Sequence, residues 1–183
     1  ALPILGQWLA GREGHGARLR DGARRVKLRI SMADLDHRIT AWFEARGWRP
    51  RPHQRAVFDH AARGESVLLI SPTGGGKTLA GFLPSLAEIA GGGRAEGLHT
   101  LYISPLKALA VDIARNLEAP TAEMGIPATI ETRTGDTPHA KRRRQRERPP
   151  HLLITTPEQV SLLVADPGAG HLLKNLRAII IDE

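Results

Sequence analysis

Eight consecutive residues, Ser71-Pro72-Thr73-Gly74-Gly75-Gly76-Lys77-Thr78, follow the apolar run 67–70 and lead into an amphipathic stretch. Strand, glycine-rich turn and helix start is the context a phosphate-binding loop needs. Glycines let backbone N–H groups turn inward around phosphate oxygens without side-chain obstruction, and the positive end of the following helix adds to the attraction. Lys77 would reach the β- and γ-phosphates of a nucleotide, and the Thr78 hydroxyl would help hold Mg²⁺. Thr73, Gly74, Gly75 and Gly76 supply the turn. A glycine turn that binds nothing is the alternative, and Gly-Lys-Thr in that strand-to-helix position weighs against it.

The elements that must position this loop follow from hydrophobic period. Leu35, Ile39, Trp42 and Phe43 recur at helical spacing after Ser31 or Asp34 as a cap, and Gly47 ends that helix. After Trp48-Arg49-Pro50-Arg51-Pro52 a second helix is expected from His53 towards Arg63. Short apolar strands are expected at 67–71, 100–104, 128–132, 152–155 and 178–182. Helices should start near Gly76, Leu106, Thr137 and Pro157, with a short one around 171–176. Strands alternating with helices imply a parallel sheet covered on both faces, an α/β architecture whose ligands sit at the carboxyl ends of the strands. Gly91-Gly92-Gly93 is expected to be an exposed loop.

Composition narrows the class. The 183 residues, 41% of them apolar, suffice for one domain with an ordinary core. There is no cysteine, so any metal must bind through oxygen or imidazole, and the eight histidines lack ligand spacing on one face, so no zinc is expected. No apolar run reaches membrane-spanning length and residues 1–10 do not have the form of a secretion signal, so the expectation is a soluble, cytoplasmic protein without a membrane partner. The net charge of +7 is local. Residues 1–30 hold seven basic residues against two acids, residues 141–148 hold six against one, and the remaining body has 13 basic and 16 acidic residues. Residues 1–30, rich in Gly and Arg, are expected to form a flexible basic extension, and 31–183 the folded domain. The basic run 141–148 fits either a solvated helix face or a phosphate-binding surface.

General phosphate-loop spacing would put glycine at position 71, where this chain has serine. With that departure, Ser71 to Thr78 resembles motif I of the DEAD/DEXH-box helicases of superfamily 2. Ser104-Pro105-Leu106-Lys107-Ala108-Leu109-Ala110 resembles motif Ia, Thr134-Gly135-Asp136-Thr137 motif Ib, and Thr155-Thr156-Pro157-Glu158 the next nucleic-acid motif. Ile179-Ile180-Ile181-Asp182-Glu183 resembles motif II without its last two residues. All stand in the family's order over about residues 31–183. The blocks 98–120 and 131–138 are most similar to the large helicase-related, Lhr-like enzymes, above all the bacterial ligase-associated DEXH type. The resemblance implies a RecA-like first motor domain, cut after motif II, with motif III, the second lobe and its arginine finger outside this chain.

Site residues follow from the same resemblance. Gln54 takes the place of the Q-motif glutamine, whose amide both donates to and accepts from the adenine edge. Trp48 and Arg51 would flank the base, with core packing as the alternative for Trp48. Asp182, at the end of a buried strand, would hold Mg²⁺, and Glu183 would polarise the attacking water, giving Lys77, Asp182 and Glu183 as catalytic residues and Thr78 and Asp182 as metal-binding ones. Pro105, Lys107, Thr134, Gly135, Asp136, Thr137, Thr155, Thr156 and Pro157 would grip a sugar-phosphate backbone, and Arg133 would add charge. Such contacts position a strand without reading bases.

The implied function is ATP- and Mg²⁺-dependent translocation along DNA from 3′ to 5′ with unwinding, in DNA repair, with a DNA ligase or repair nuclease as implied partners. Two alternatives stand. One is an RNA helicase, because the residues that would sense a 2′-OH are not identifiable. The other is a nucleotide- or strand-binding piece that does not turn over ATP without its second lobe.

Overall fold

The structure, a computed structural model, describes residues 37–72, 74–92 and 96–182. The expected basic extension at 1–30, the caps at Ser31 and Asp34, and Leu35, Thr73, Gly93 and Glu183 lie outside the described residues.

Four short strands form one parallel sheet: β1 (Thr100–Ile103), β2 (Ile130–Arg133), β3 (Leu152–Thr155) and β4 (Ala178–Ile181), in spatial order β2-β3-β1-β4. Helices α1 (His37–Ala45), α2 (Pro52–Ala62) and α3 (Lys77–Ala90) precede β1. Helix α4 (Lys107–Glu123) joins β1 to β2, and α5 (His139–Glu147) joins β2 to β3. Helices α6 (Pro157–Ala165) and α7 (Ala169–Leu173) lead from β3 to β4. Each parallel pair needs such a crossover, so the alternating pattern in the sequence is also the topology.

Period-two alternation sends each strand's side chains to two layers. Tyr102, Leu152, Ile154, Ile130 and Ile180 pack with α1 to α4 in the larger core, where Ile39, Phe82, Leu83 and Leu86 are fully buried. Leu101, Ile103 and Leu153 pack on the opposite face with Leu163 and Leu172 of α6 and α7. Gly81 in α3 sits where an added Cβ would lie 3.4 Å from Ile180 Cγ2, so this helix approaches β4 closely. The last turn of α4 is tied to α1: Trp42 Nε1 donates to Glu123 (2.8 Å), and Arg46 pairs with the same carboxylate while its guanidinium lies 4.3 Å over the Trp42 ring.

One expected strand is absent. Residues 67–71 have no ladder partner, and Leu68 and Ile70 are each 86% exposed. A β-prone run becomes a strand only when a neighbour takes its hydrogen bonds. Among the described residues nothing pairs with it, nor with the outer edge of β4, whose Ile179 and Ile181 are also exposed. The strand at 152–155 and the helix start at Pro157 match the expectation, and the other boundaries shift by up to three residues: β2 begins at Ile130 rather than 128, and the short helix runs 169–173 rather than 171–176. Gly91 and Gly92 form an exposed turn, as expected. No helix of the described residues is long and apolar enough to cross a membrane.

Candidate functional site

The register brings the strand ends level. Ile103 pairs with Thr155 and with Ile181, and Thr155 pairs with Arg133. The residues that follow therefore leave the sheet at one edge: Ser104, Thr134, Thr156 and Asp182. The amide of Ser104 donates to the Thr155 carbonyl (2.9 Å) and that of Asp182 to the Ile103 carbonyl (3.0 Å), extending the ladder by one step on each side of β1. This is the edge where parallel sheets hold ligands.

The glycine loop precedes α3. Gly74 and Gly76 have φ of +75° and +76°, a region that favours glycine over residues with a Cβ. A Cβ at Gly76 would come 2.9 Å from Gln54 Nε2, and one at Gly75 would strike the Ser71 hydroxyl and the Pro72 carbonyl. Gly76 is the N-cap of α3, and a glycine has no side chain to cap the first-turn amides of that helix. Lys77 is exposed, and its ammonium donates to the Ser71 carbonyl (2.8 Å), folding back over the loop. Left-handed glycines, a helix start and one lysine are the chemistry that suits a phosphate chain.

Beside the loop, Gln54 is 4% exposed at the start of α2. Its Oε1 accepts the Arg51 backbone N–H (2.8 Å) and its Nε2 donates to the Gly76 carbonyl (3.4 Å). Arg51 reaches the Gly74 carbonyl (3.4 Å). Gln54 thus touches the phosphate loop directly, a link the sequence does not reveal. Phe43, Trp48, Arg49, Arg51, Gln54 and Leu79 line a hollow of about 170 Å³. Trp48 is 55% exposed and packs edge-on against Trp42, with ring centres 5.7 Å apart, so core packing of its whole ring is ruled out.

Asp182 is half-buried, and its Oδ2 accepts a 2.6 Å hydrogen bond from the Tyr102 hydroxyl. The helix that begins at Lys77 and Thr78 lies against β4 through Gly81 and Ile180, one helical turn and two strand residues away from the proposed ligands respectively. Thr78 and Asp182 present the oxygen chemistry a hard cation such as Mg²⁺ requires, on neighbouring elements.

Along the strand ends, hydroxyls face inward. Ser104 and Thr155 are fully buried, and Thr134, Thr137 and Thr156 nearly so, whereas Pro105, Lys107, Gly135, Asp136 and Pro157 are exposed. Thr155 Oγ1 donates to the Arg133 carbonyl (2.8 Å), and the Thr134 amide donates to Thr137 Oγ1 (2.8 Å). Lys107 and Asp136 form an ion pair that joins the two expected nucleic-acid loops. Hydrogen bonds from the Thr156 hydroxyl and from the Glu158 backbone amide hold the Glu158 carboxyl below its ordinary range.

Two basic features differ from expectation. Arg133 is only 5% exposed, so it is not part of an outer charged track. Burial, and then the nearby charges of Arg142 and Arg146, push its guanidinium down from the usual range. The run 141–148 is a mixed face: Arg143, Arg144 and Arg148 are exposed, while others of the run are tied inward. Arg142 donates to the carbonyls of Thr134 (3.1 Å) and Gly135 (2.8 Å), Arg144 and Gln145 bind Glu131, and Arg146 pairs with Asp166 (2.6 Å). Helix α5 clamps the 134–137 loop from behind.

The DEAD/DEAH box helicase family model matches residues 51–183. A Lhr helicase/probable uracil glycosylase of Mycolicibacterium smegmatis is 40% identical over 154 residues, covering 78% of this chain and 10% of the relative. The ATP-dependent helicase Lhr-Core of Methanocaldococcus jannaschii is 34% identical over 163 residues, covering 81% of this chain and 19% of that protein. Among solved structures, the Mycobacterium smegmatis helicase Lhr bound to ssDNA and AMP-PNP superposes with a TM-score of 0.72 at 38% identity, covering 80% of this chain and 20% of that one. This chain therefore spans between a tenth and a fifth of these relatives' length. The glycine loop, the level strand ends and the matched family model agree: the chain belongs to the DEAD/DEAH box helicases, and it is similar to their Lhr-like members.

Proposed function

We propose that this chain is the ATP-binding first motor lobe of a protein that couples ATP hydrolysis to 3′-to-5′ movement along DNA, unwinding duplex, in DNA repair. What carries the reading is the packing of α3 on β4. It sets the helix that starts at Lys77-Thr78 against the strand that ends at Asp182. In this reading Thr73, Gly74, Gly75, Gly76 and Lys77 cradle the phosphates, Gln54 and its hollow take the adenine, and Thr78 and Asp182 hold Mg²⁺. A cation held there would neutralise charge on the nucleotide phosphates. Glu183 orients water.

The exposed groups of the strand-end loops, the amides of Gly135 and Asp136, the start of α6 at Pro157 and the ammonium of Lys107, are suited to phosphodiesters. They carry no feature that would read a base. DNA is favoured because a similar helicase is described with ssDNA and a nucleotide analogue bound. Association with a DNA ligase or repair nuclease, and a cytoplasmic location, belong to the same proposal.

The test is unwinding by the whole protein on matched 3′-tailed DNA and RNA duplexes with Mg·ATP. DNA unwinding that requires ATP and a 3′ tail is expected. Preference for the RNA duplex would overturn the substrate assignment, and ATP-independent strand separation would overturn the motor.

A further inference from the structure

We propose that Tyr102 is a positioning residue for the cation site: its buried hydroxyl fixes the Asp182 carboxylate and ties it to the helix that carries the phosphate loop. This rests on the reading of Asp182 as a Mg²⁺ holder. Sequence patterns single out Asp182 but pass over Tyr102, the central residue of an apolar strand.

Tyr102 is 2% exposed and lies opposite Ile180 in the β1–β4 register. Tyr102, Ile180 and Asp182 share the sheet face covered by α3, because residues two apart on a strand point the same way. From there the phenol spans two residues along the neighbouring strand and donates to Asp182 Oδ2 at 2.6 Å, the length of an O–H···O⁻ bond to an ionised acceptor. The ring itself is not free to turn away. Phe82 of α3, fully buried, stacks on it with ring centres 5.0 Å apart and planes inclined by 15°.

The chain of contacts Phe82, Tyr102, Asp182 therefore runs from the second turn of α3 to the end of β4. One carboxylate oxygen is claimed by the phenol, so the carboxylate is held at one end and, in this reading, its other oxygen serves the cation. Carboxylates around metal sites commonly carry such a hydrogen bond, and its loss weakens metal binding even though the donor touches no metal. A tyrosine hydroxyl buried at this depth needs an acceptor in any case. The experiment separates service to the cation from mere satisfaction of a buried phenol.

Mn²⁺ affinity of the whole protein, saturated with a non-hydrolysable ATP analogue, would be titrated by electron paramagnetic resonance for the unaltered chain, Tyr102→Phe and Asp182→Asn. Analogue affinity without metal would be measured in parallel. Tyr102→Phe keeps the ring and its stack on Phe82, so metal-free analogue affinity should be unchanged while Mn²⁺ affinity falls about tenfold. Asp182→Asn should weaken Mn²⁺ at least as much. Unaltered Mn²⁺ affinity in Tyr102→Phe beside a weakened Asp182→Asn overturns the role of Tyr102 and leaves the site assignment standing. Unaltered Mn²⁺ affinity in Asp182→Asn overturns the assignment and this inference with it. Loss of metal-free analogue binding in Tyr102→Phe would show a structural residue and not a positioning one.

Discussion

The glycine loop before α3 and the loop that follows β2 are ordered by opposite means. In the first, backbone conformation dominates: left-handed glycines, a glycine at the helix N-cap, and a lysine folded back onto the Ser71 carbonyl. In the second, side chains dominate. Thr155 holds the Arg133 carbonyl, Thr137 accepts the Thr134 amide, and Arg142 takes two carbonyls of the same turn. In the proposed function the first loop wraps a compact anion that completes its donors, and the second lets a polymer slide past a backbone its own side chains already hold.

The largest expected effect tests the first half of that contrast. Lys77→Ala removes a charge-assisted contact to phosphate worth about 1.5–3 kcal/mol, so Mg·ATP affinity should fall about 10- to 100-fold. Lys77 is exposed and, among the described residues, its ammonium donates to a loop carbonyl, so the melting temperature without nucleotide should barely change. Calorimetric titration and thermal denaturation of the same variant supply both numbers. A fall in melting temperature with affinity intact would reverse the assignment of the loop.

Thr155→Val should behave in the opposite sense. The residue is fully buried at the end of β3, and the substitution strips the hydroxyl from the Arg133 carbonyl while keeping the shape. A loss of about 1–3 kcal/mol in unfolding free energy is expected, with nucleotide affinity unchanged. Urea denaturation measures it. If stability is untouched and only nucleic-acid binding falls, Thr155 is a direct contact and the strand-end loops are not self-ordered.

The contrast also sorts what the sequence could reveal. Strands β1, β3 and β4 and the starts of α3, α4 and α6 fall within one residue of their apolar runs and caps, because those signals are local. Lys77 is singled out by its glycine-rich strand-to-helix context, and Gln54 and Asp182 by the resemblance to helicase motifs; the structure sets Gln54 beside the glycine loop and Asp182 at the end of β4. Tyr102, Arg142 and the Gln54 contact with Gly76 were not legible, since each depends on register or on which way a helix faces. The run 67–71 shows the same limit from the other side. Its composition says strand, but pairing is non-local, and no described residue supplies the neighbour.

The smallest expected effect sharpens the second half of the comparison. Lys107 and Asp136 are both exposed, and they pair across the loops that follow β1 and β2. A carboxylate cannot grip a phosphodiester, so Asp136 is expected to oppose nucleic acid where its neighbours attract it, holding the ammonium of Lys107 that a phosphate would otherwise take. Exposed pairs contribute about 0–1 kcal/mol, so Asp136→Asn should leave stability unchanged. It should raise affinity for a single-stranded oligonucleotide by about two- to fivefold at low salt, and steepen the salt dependence by close to one released counterion as Lys107 becomes available. Fluorescence anisotropy at a series of salt concentrations reads both quantities. Weaker binding in Asp136→Asn would mean that the pair builds the loop rather than restrains it, and Asp136 would then join Thr137 and Arg142 among the residues that shape the track from within.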